Sequence, residues 1–156
     1  MQNSNLKICL DLQGYTRKVK NEKVYRCISD QVNAGLVLAD IIKANEFEYK
    51  AILAFFRITL AELMQRFKIE ECVITLGRKG GFVQNCRGEL FHYDAAVAET
   101  PLDPTGTGDV FFAAYIVSRF ADNKNIPDAC VYAAEIAARQ VEGNYIPGEL
   151  LSLDVR

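Results

Sequence analysis

Tryptophan is missing from this 156-residue chain, and histidine occurs once, at His92. Any histidine-built metal centre or Ser/His/Asp apparatus has only that side chain to rest on. It sits in the alternating segment "ELFHYDA" and reads as a residue on a strand face. Five cysteines (Cys9, Cys27, Cys72, Cys86, Cys130) are scattered without a C-x-x-C pair. That spacing points to neither a disulfide framework nor a zinc site, and most of them are expected as small core residues. No apolar run approaches the length of a bilayer span, and "MQNSNLKICLDLQ" lacks the basic and apolar regions of a signal peptide. The expectation is a soluble, cytoplasmic protein with no membrane partner. Neither charge sign dominates: 18 basic and 20 acidic residues leave a formal charge of -2, which gives no general pull toward nucleic acid. Internal repeats, low-complexity tracts and linkers are also missing.

What is present is globular composition, 50% hydrophobic and 24% charged, at a length that fits one domain, residues 1–156. Short β-rich runs alternate with helical ones, which predicts an α/β layer fold with a mostly parallel central sheet flanked by helices. Strands are expected at "LKICLDL" and "ADIIKAN", with a helix inside "VYRCISDQVNAGLVL" between them. A second helix is expected at "ITLAELMQRFK", where Ile58, Leu60, Leu63, Met64 and Phe67 recur near a 3.6-residue period. Three strands, "CVITLG", "GFVQNC" and "GELFHY", follow through two hairpin-like connections. The last helices run from about Asp109 to Ala121 and from Pro127, which suits a first turn, to Glu142, with Gly143 as the stop. The stretch "RKVKNEKVYR" carries five basic residues and one acid. It reads as a solvated connection, with an anion-facing loop as the alternative.

Four places can carry chemistry. In "LDPTGTGDVFF", Gly106 and Gly108 allow a tight turn and close approach of a ligand to the N–H groups at a helix start, a setting that favours an anion. Asp109 at that junction is either an acid stabilising the first turn through the helix dipole or a base that takes a proton from an attacking hydroxyl. A dinucleotide fingerprint fits less well, because the spacing is not G-x-G-x-x-G. In "NEFE", Asn45 and Glu48 have the spacing of a capping box, which explains them structurally. Their place after a strand is also where α/β folds hold ligands, and a carboxylate there could hold Mg²⁺ through water. The glycines of "TLGRKGG" (Thr75 to Gly81) suit a turn, or an open backbone for a nucleotide. Ala129, Ala133, Ala134, Ala137 and Ala138 make the last helix smooth enough for close packing or for a planar base.

Together these segments resemble the C-terminal half of a ribokinase-like (PfkB) carbohydrate kinase. The family signature D-T-x-G-A-G-D is matched by Asp103, Gly106, Gly108 and Asp109 in "DPTGTGD", with Pro104 in place of the usual Thr and Thr107 in place of the usual Ala. "NEFE" matches the family's N-x-x-E, and the "TLG" strand ending and the Ala-rich helix follow in order. The resemblance implies an ATP-dependent kinase in which Asp109 activates the hydroxyl of a sugar, nucleoside or polyol. The backbone of Gly106, Thr107, Gly108 and Asp109 forms the anion hole for the transferring phosphoryl group. It further implies nucleotide contacts from Asn45, Thr75, Leu76, Gly77 and Asp103, and Mg²⁺ held by Glu48 through water. Family members are much longer, and their N-terminal substrate and lid half has no counterpart before "LKICLDL". The expectation is a nucleotide half that associates with itself or with a partner half, the alternative function being a non-catalytic nucleotide-binding module.

Overall fold

The computed structural model describes residues 6–143, which divide into two compact units that meet in the sequence between Tyr93 and Asp94. In the first unit a five-stranded sheet has the order β1-β4-β5-β6-β7. Its strands are β1 (Cys9–Asp11), β4 (Ile41–Asn45), β5 (Glu71–Thr75), β6 (Gly81–Asn85) and β7 (Leu90–Tyr93). The first three are parallel, β6 runs antiparallel to both of its neighbours, and four of the five strands therefore point the same way. The α/β alternation and the two consecutive hairpins expected from the sequence are both present.

Helices α1 (Val32–Leu38), α2 (Glu46–Phe56) and α3 (Leu60–Phe67) connect the parallel strands. Strand side chains alternate between faces, so Ile42 and Ala44 share one face of the sheet with Cys72 and Ile74. That face joins Val32, Leu36, Ile52, Leu63, Met64 and Phe67 from the helices in a single buried cluster. Burying each of the larger aliphatic side chains stabilises the unit by about 1.5–3 kcal/mol before entropy is counted. Helix α3 starts two residues later than the apolar spacing predicts. Thr59 caps it in a reciprocal box with Glu62, which leaves Ile58 outside, and Lys68 ends it at φ 59°.

The basic stretch is solvated, as expected, but it is more than a connection. It folds into a separate antiparallel hairpin, β2 (Arg17–Lys20) and β3 (Lys23–Arg26), every residue of which is exposed. Asn21 and Glu22 at its tip both have positive φ, 50° and 60°, as the tightest hairpin turn requires. Strand β3 thus takes the first residues of the segment in which only a helix was expected, and α1 begins at Val32.

In the second unit α4 (Thr107–Ile116) widens into a π-helical turn at Val117–Ala121, and α5 spans Ile126–Val141. The two helices pack on one another. Phe111, Phe112 and Tyr115 of α4 and Ala129, Ala133, Ala134 and Ala137 of α5 are buried, which fits close packing of the small-residue helix. Asn125 caps α5, Pro127 lies in its first turn, and Gly143 follows it at φ 75°. The cysteines depart from expectation. Only Cys72 and Cys130 are buried, Cys9 is half-buried, and Cys27 and Cys86 are exposed because one follows the solvated hairpin and the other lies in the β6–β7 turn. His92 does lie on a strand face, tilted 52° against Phe82 at 5.9 Å between ring centroids.

Candidate active site

Ligand-facing groups in a parallel sheet gather at the carboxyl ends of the strands. Here β1 ends on Asp11, β4 on Asn45 and β5 on Thr75, with Asp11 in register with Lys43 and Asn45 with Thr75. Lys43 is 4% exposed, and its Nζ lies 2.7 Å from Asp11 Oδ2. Asp11 Oδ1 accepts the N–H of Gln13 at 2.9 Å. Sequence reasoning missed this pair, although an acid ending one strand and a lysine inside the next were visible in "CLDL" and "IIKAN".

Asn45 and Glu48 form the expected capping box. Glu48 N–H donates to Asn45 Oδ1 at 2.9 Å, and Asn45 N–H donates to Glu48 Oε2 at 2.8 Å. Glu48 is 4% exposed. Burial pushes its carboxyl above the usual range, opposed by the Asn45 N–H and by the Lys43 charge, while Asp11 adds to the rise and Arg17 opposes it. Since one oxygen is already engaged, the carboxylate suits a magnesium ion held through water better than direct chelation. Among the described residues no cluster of three or more His, Cys, Asp or Glu could cage a metal by itself. Mg²⁺ commonly uses one or two carboxylates together with substrate phosphates, and this donor set fits that habit.

An open cleft of about 420 Å³ lies beside the box, lined by Asn45, Glu46, Phe47, Lys50, Thr75, Leu76 and Gly77. Four of these, Asn45, Thr75, Leu76 and Gly77, were expected at a nucleotide. Phe47, which the sequence did not single out, gives the cleft an aromatic wall, and Arg26 of the hairpin lies over that ring with its guanidinium carbon 4.2 Å from the centroid.

The second unit holds the other motif. Gly106 is the N-cap of α4 at φ 75°, a conformation that glycine adopts without penalty. Thr107 N–H donates to Pro104 O at 3.2 Å, and Asp109 N–H donates to Gly106 O at 3.0 Å. The N–H groups of Gly106 and Gly108 have no acceptor among the described residues. Asp103 Oδ1 takes the Thr105 N–H at 2.8 Å, and the Thr105 hydroxyl and N–H hold the Asp103 carboxyl below its usual range. Asp109 is exposed, and its carboxylate takes no hydrogen bond from the described residues. It occupies the third helical position, as Glu48 and Glu62 do in α2 and α3. Those two close capping boxes, whereas a glycine N-cap offers Asp109 no side chain to reciprocate. The structure therefore brings Asn45, Glu48, Thr75, Leu76 and Gly77 together in one unit, and Asp103, Gly106, Thr107, Gly108 and Asp109 together in the other.

Comparison with solved structures gives the fold its place. A nucleoside kinase of Methanocaldococcus jannaschii, described as an archaeal member of the ribokinase family, superposes with a TM-score of 0.73 at 17% identity, over 89% of this chain and 42% of its own. Burkholderia thailandensis nucleoside kinase, in complex with ADP-inosine, gives a TM-score of 0.61 at 23% identity over 70% of this chain and 33% of its own. A pyrophosphate-dependent kinase in the ribokinase family, in a sulfate complex, gives 0.68 at 20% identity over 87% and 48%. The chain thus spans less than half the length of these structures, and the fold is the ribokinase-like layered α/β fold. No curated protein matches it. The sequence profile of the pfkB family carbohydrate kinases matches residues 6–145, and the chain belongs to that family.

Proposed function

We propose that this chain carries the nucleotide half of a phosphotransferase that moves the γ-phosphoryl group of ATP to an alcohol group of a sugar, nucleoside or polyol. The observation that carries the reading is the start of α4, where two glycine N–H groups without an acceptor among the described residues adjoin an exposed carboxylate that closes no capping box. Phosphoryl transfer asks little covalent chemistry of the protein beyond positioning, charge stabilisation and one base. In this reading Asp109 takes the proton of the attacking hydroxyl. The N–H groups of Gly106 and Gly108, with that of Thr107, meet the charge on the transferring group, and Asp103 holds the loop that presents them. Asn45, Thr75, Leu76 and Gly77 receive the nucleotide. Glu48, through water, would hold Mg²⁺, whose charge offsets that of the donor phosphates. The apolar wall of Phe47 and Leu76 favours a donor with a base over bare pyrophosphate.

Nucleotide binding without turnover is the second reading, which needs only the cleft lined by Asn45, Phe47, Thr75, Leu76 and Gly77 in the first unit. Incubating the full chain with γ-labelled ATP and Mg²⁺ against a panel of sugars, nucleosides and polyols separates the two. Label transferred to an acceptor supports the kinase. Calorimetric binding of Mg-ATP with no transfer across the panel supports the second reading, and failure to bind any nucleotide removes both.

A further inference from the structure

We propose that the β2–β3 hairpin is a cationic clamp for the polyphosphate chain of the donor, with Arg26 and Arg17 contacting phosphate oxygens. The inference rests on the nucleotide reading of the cleft beside Phe47. It begins from a feature that folding does not explain. The register sets Arg17 opposite Arg26 and Lys20 opposite Lys23, so like charges face each other at both ends of the ladder. Like charges directly opposite destabilise a strand pair, and a lone two-stranded hairpin is marginal to begin with. The segment's one acid, Glu22, sits in the turn, and among the described residues none of the five basic side chains is in an ion pair. Such an arrangement lacks an anion.

Direction comes from Phe47. Arg26 is seated on that ring, and the ring is a wall of the cleft that Asn45, Thr75 and Leu76 also line. Arg17 stands directly across the ladder from Arg26 and shares its hairpin face. Both guanidinium groups therefore belong to the end of the hairpin nearest the helix α2 start. Guanidinium forks match phosphate oxygens two at a time, and stacking on an aromatic ring keeps the fork oriented while leaving its N–H groups free. The cleft of about 420 Å³ beside Phe47 has room for a small ligand, so the occupant proposed is a nucleotide polyphosphate.

The test compares the full chain with the Arg17→Gln/Arg26→Gln variant by calorimetric titration of ATP, ADP, adenosine, inorganic tripolyphosphate and a 20-mer of single-stranded DNA, with thermal unfolding as a check on folding. Loss of about tenfold or more in affinity for ATP and tripolyphosphate, with adenosine unchanged, is expected from losing charge-assisted bonds. An Arg17→Lys/Arg26→Lys variant, which keeps the charge and loses the fork, should recover part of the loss. Equal weakening of adenosine and ATP, or no weakening of either polyphosphate, overturns the clamp. So does a wild-type chain that binds neither polyphosphate, or one that binds the oligonucleotide more tightly than ATP through these arginines. If the chain binds tripolyphosphate through the arginines but no adenine compound, the clamp stands and the nucleotide reading fails.

Discussion

Lys43 lies buried with its ammonium 2.7 Å from the Asp11 carboxylate, the lysine side chain 5% and the aspartate 26% exposed. The asymmetry of exposure predicts asymmetric mutants. Asp11→Ala strands a buried cation and should cost about 3 kcal/mol or more. Lys43→Met leaves an acid that still reaches solvent and the Gln13 N–H, and should cost less. The double substitution Asp11→Asn/Lys43→Met should be more stable than Asp11→Ala alone. Urea midpoints of the three variants check the order, and an Asp11→Ala loss below that of Lys43→Met would contradict it.

Glu48 allows the capping role to be separated from the proposed metal role by pH. Its folded carboxyl is raised above the ordinary value, chiefly by burial. A raised acid contributes stability that is fully present below the unfolded value and is lost as pH climbs through the folded one. The wild type should therefore lose stability relative to Glu48→Gln as pH rises from about 4 toward neutrality. Gln retains the capping geometry, so at neutral pH the variant should be at least as stable as the wild type. Its ATP affinity should nonetheless gain less from added Mg²⁺. Denaturation at a series of pH values, paired with ATP titration with and without Mg²⁺, checks both. A variant with an unchanged magnesium response would strip Glu48 of the metal role.

These residues also show what a sequence makes legible. The Asn45–Glu48 box, the helix starts expected near Asp109 and Pro127 and found two or three residues earlier at the caps Gly106 and Asn125, and the two hairpins after β5 are local, governed by residues within a few positions of each other. The Asp11–Lys43 pair joins positions 32 apart in sequence and exists only once β1 and β4 are in register. The basic hairpin was missed for a different reason. Its turn is Asn-Glu rather than Asn-Gly, and its strands alternate Lys with Val in a pattern that reads as solvated chain. Phe47 escaped notice because its interest lies in what crosses over it.

Gly81 is predicted to be intolerant of any side chain. A methyl there would run into the Ile74 carbonyl oxygen and the Tyr93 hydroxyl. Tyr93 donates to that same Ile74 carbonyl at 3.3 Å, so the contact is with backbone and with a packed ring that cannot simply swing aside. Gly81→Ala should cost more than about 3 kcal/mol or prevent folding. Gly14→Ala, with nothing within 4 Å, should stay within about 0.5 kcal/mol of the wild type. Thermal or urea unfolding of the pair checks the contrast, and comparable midpoints would show that β5 and β6 can part more easily than their register suggests.

Asp109 separates a capping acid from a base most cleanly, because its carboxylate is bonded to nothing described. If its work were structural, Asp109→Asn would remove a favourable helix-dipole interaction of about 0.3–1 kcal/mol and leave chemistry alone. If it takes the acceptor proton, Asn keeps the shape and the helix but cannot accept the proton, and transfer from ATP should fall by about 10²–10⁴-fold. Nucleotide affinity should change little, since the glycine N–H groups and the cleft residues are untouched. The measurements are initial rates with an accepted alcohol, ATP binding by calorimetry and the unfolding midpoint, all on the same preparation. A slow variant with wild-type affinity and stability assigns the base. A variant with wild-type rate and a lowered midpoint returns Asp109 to the helix dipole and moves the search for the base elsewhere.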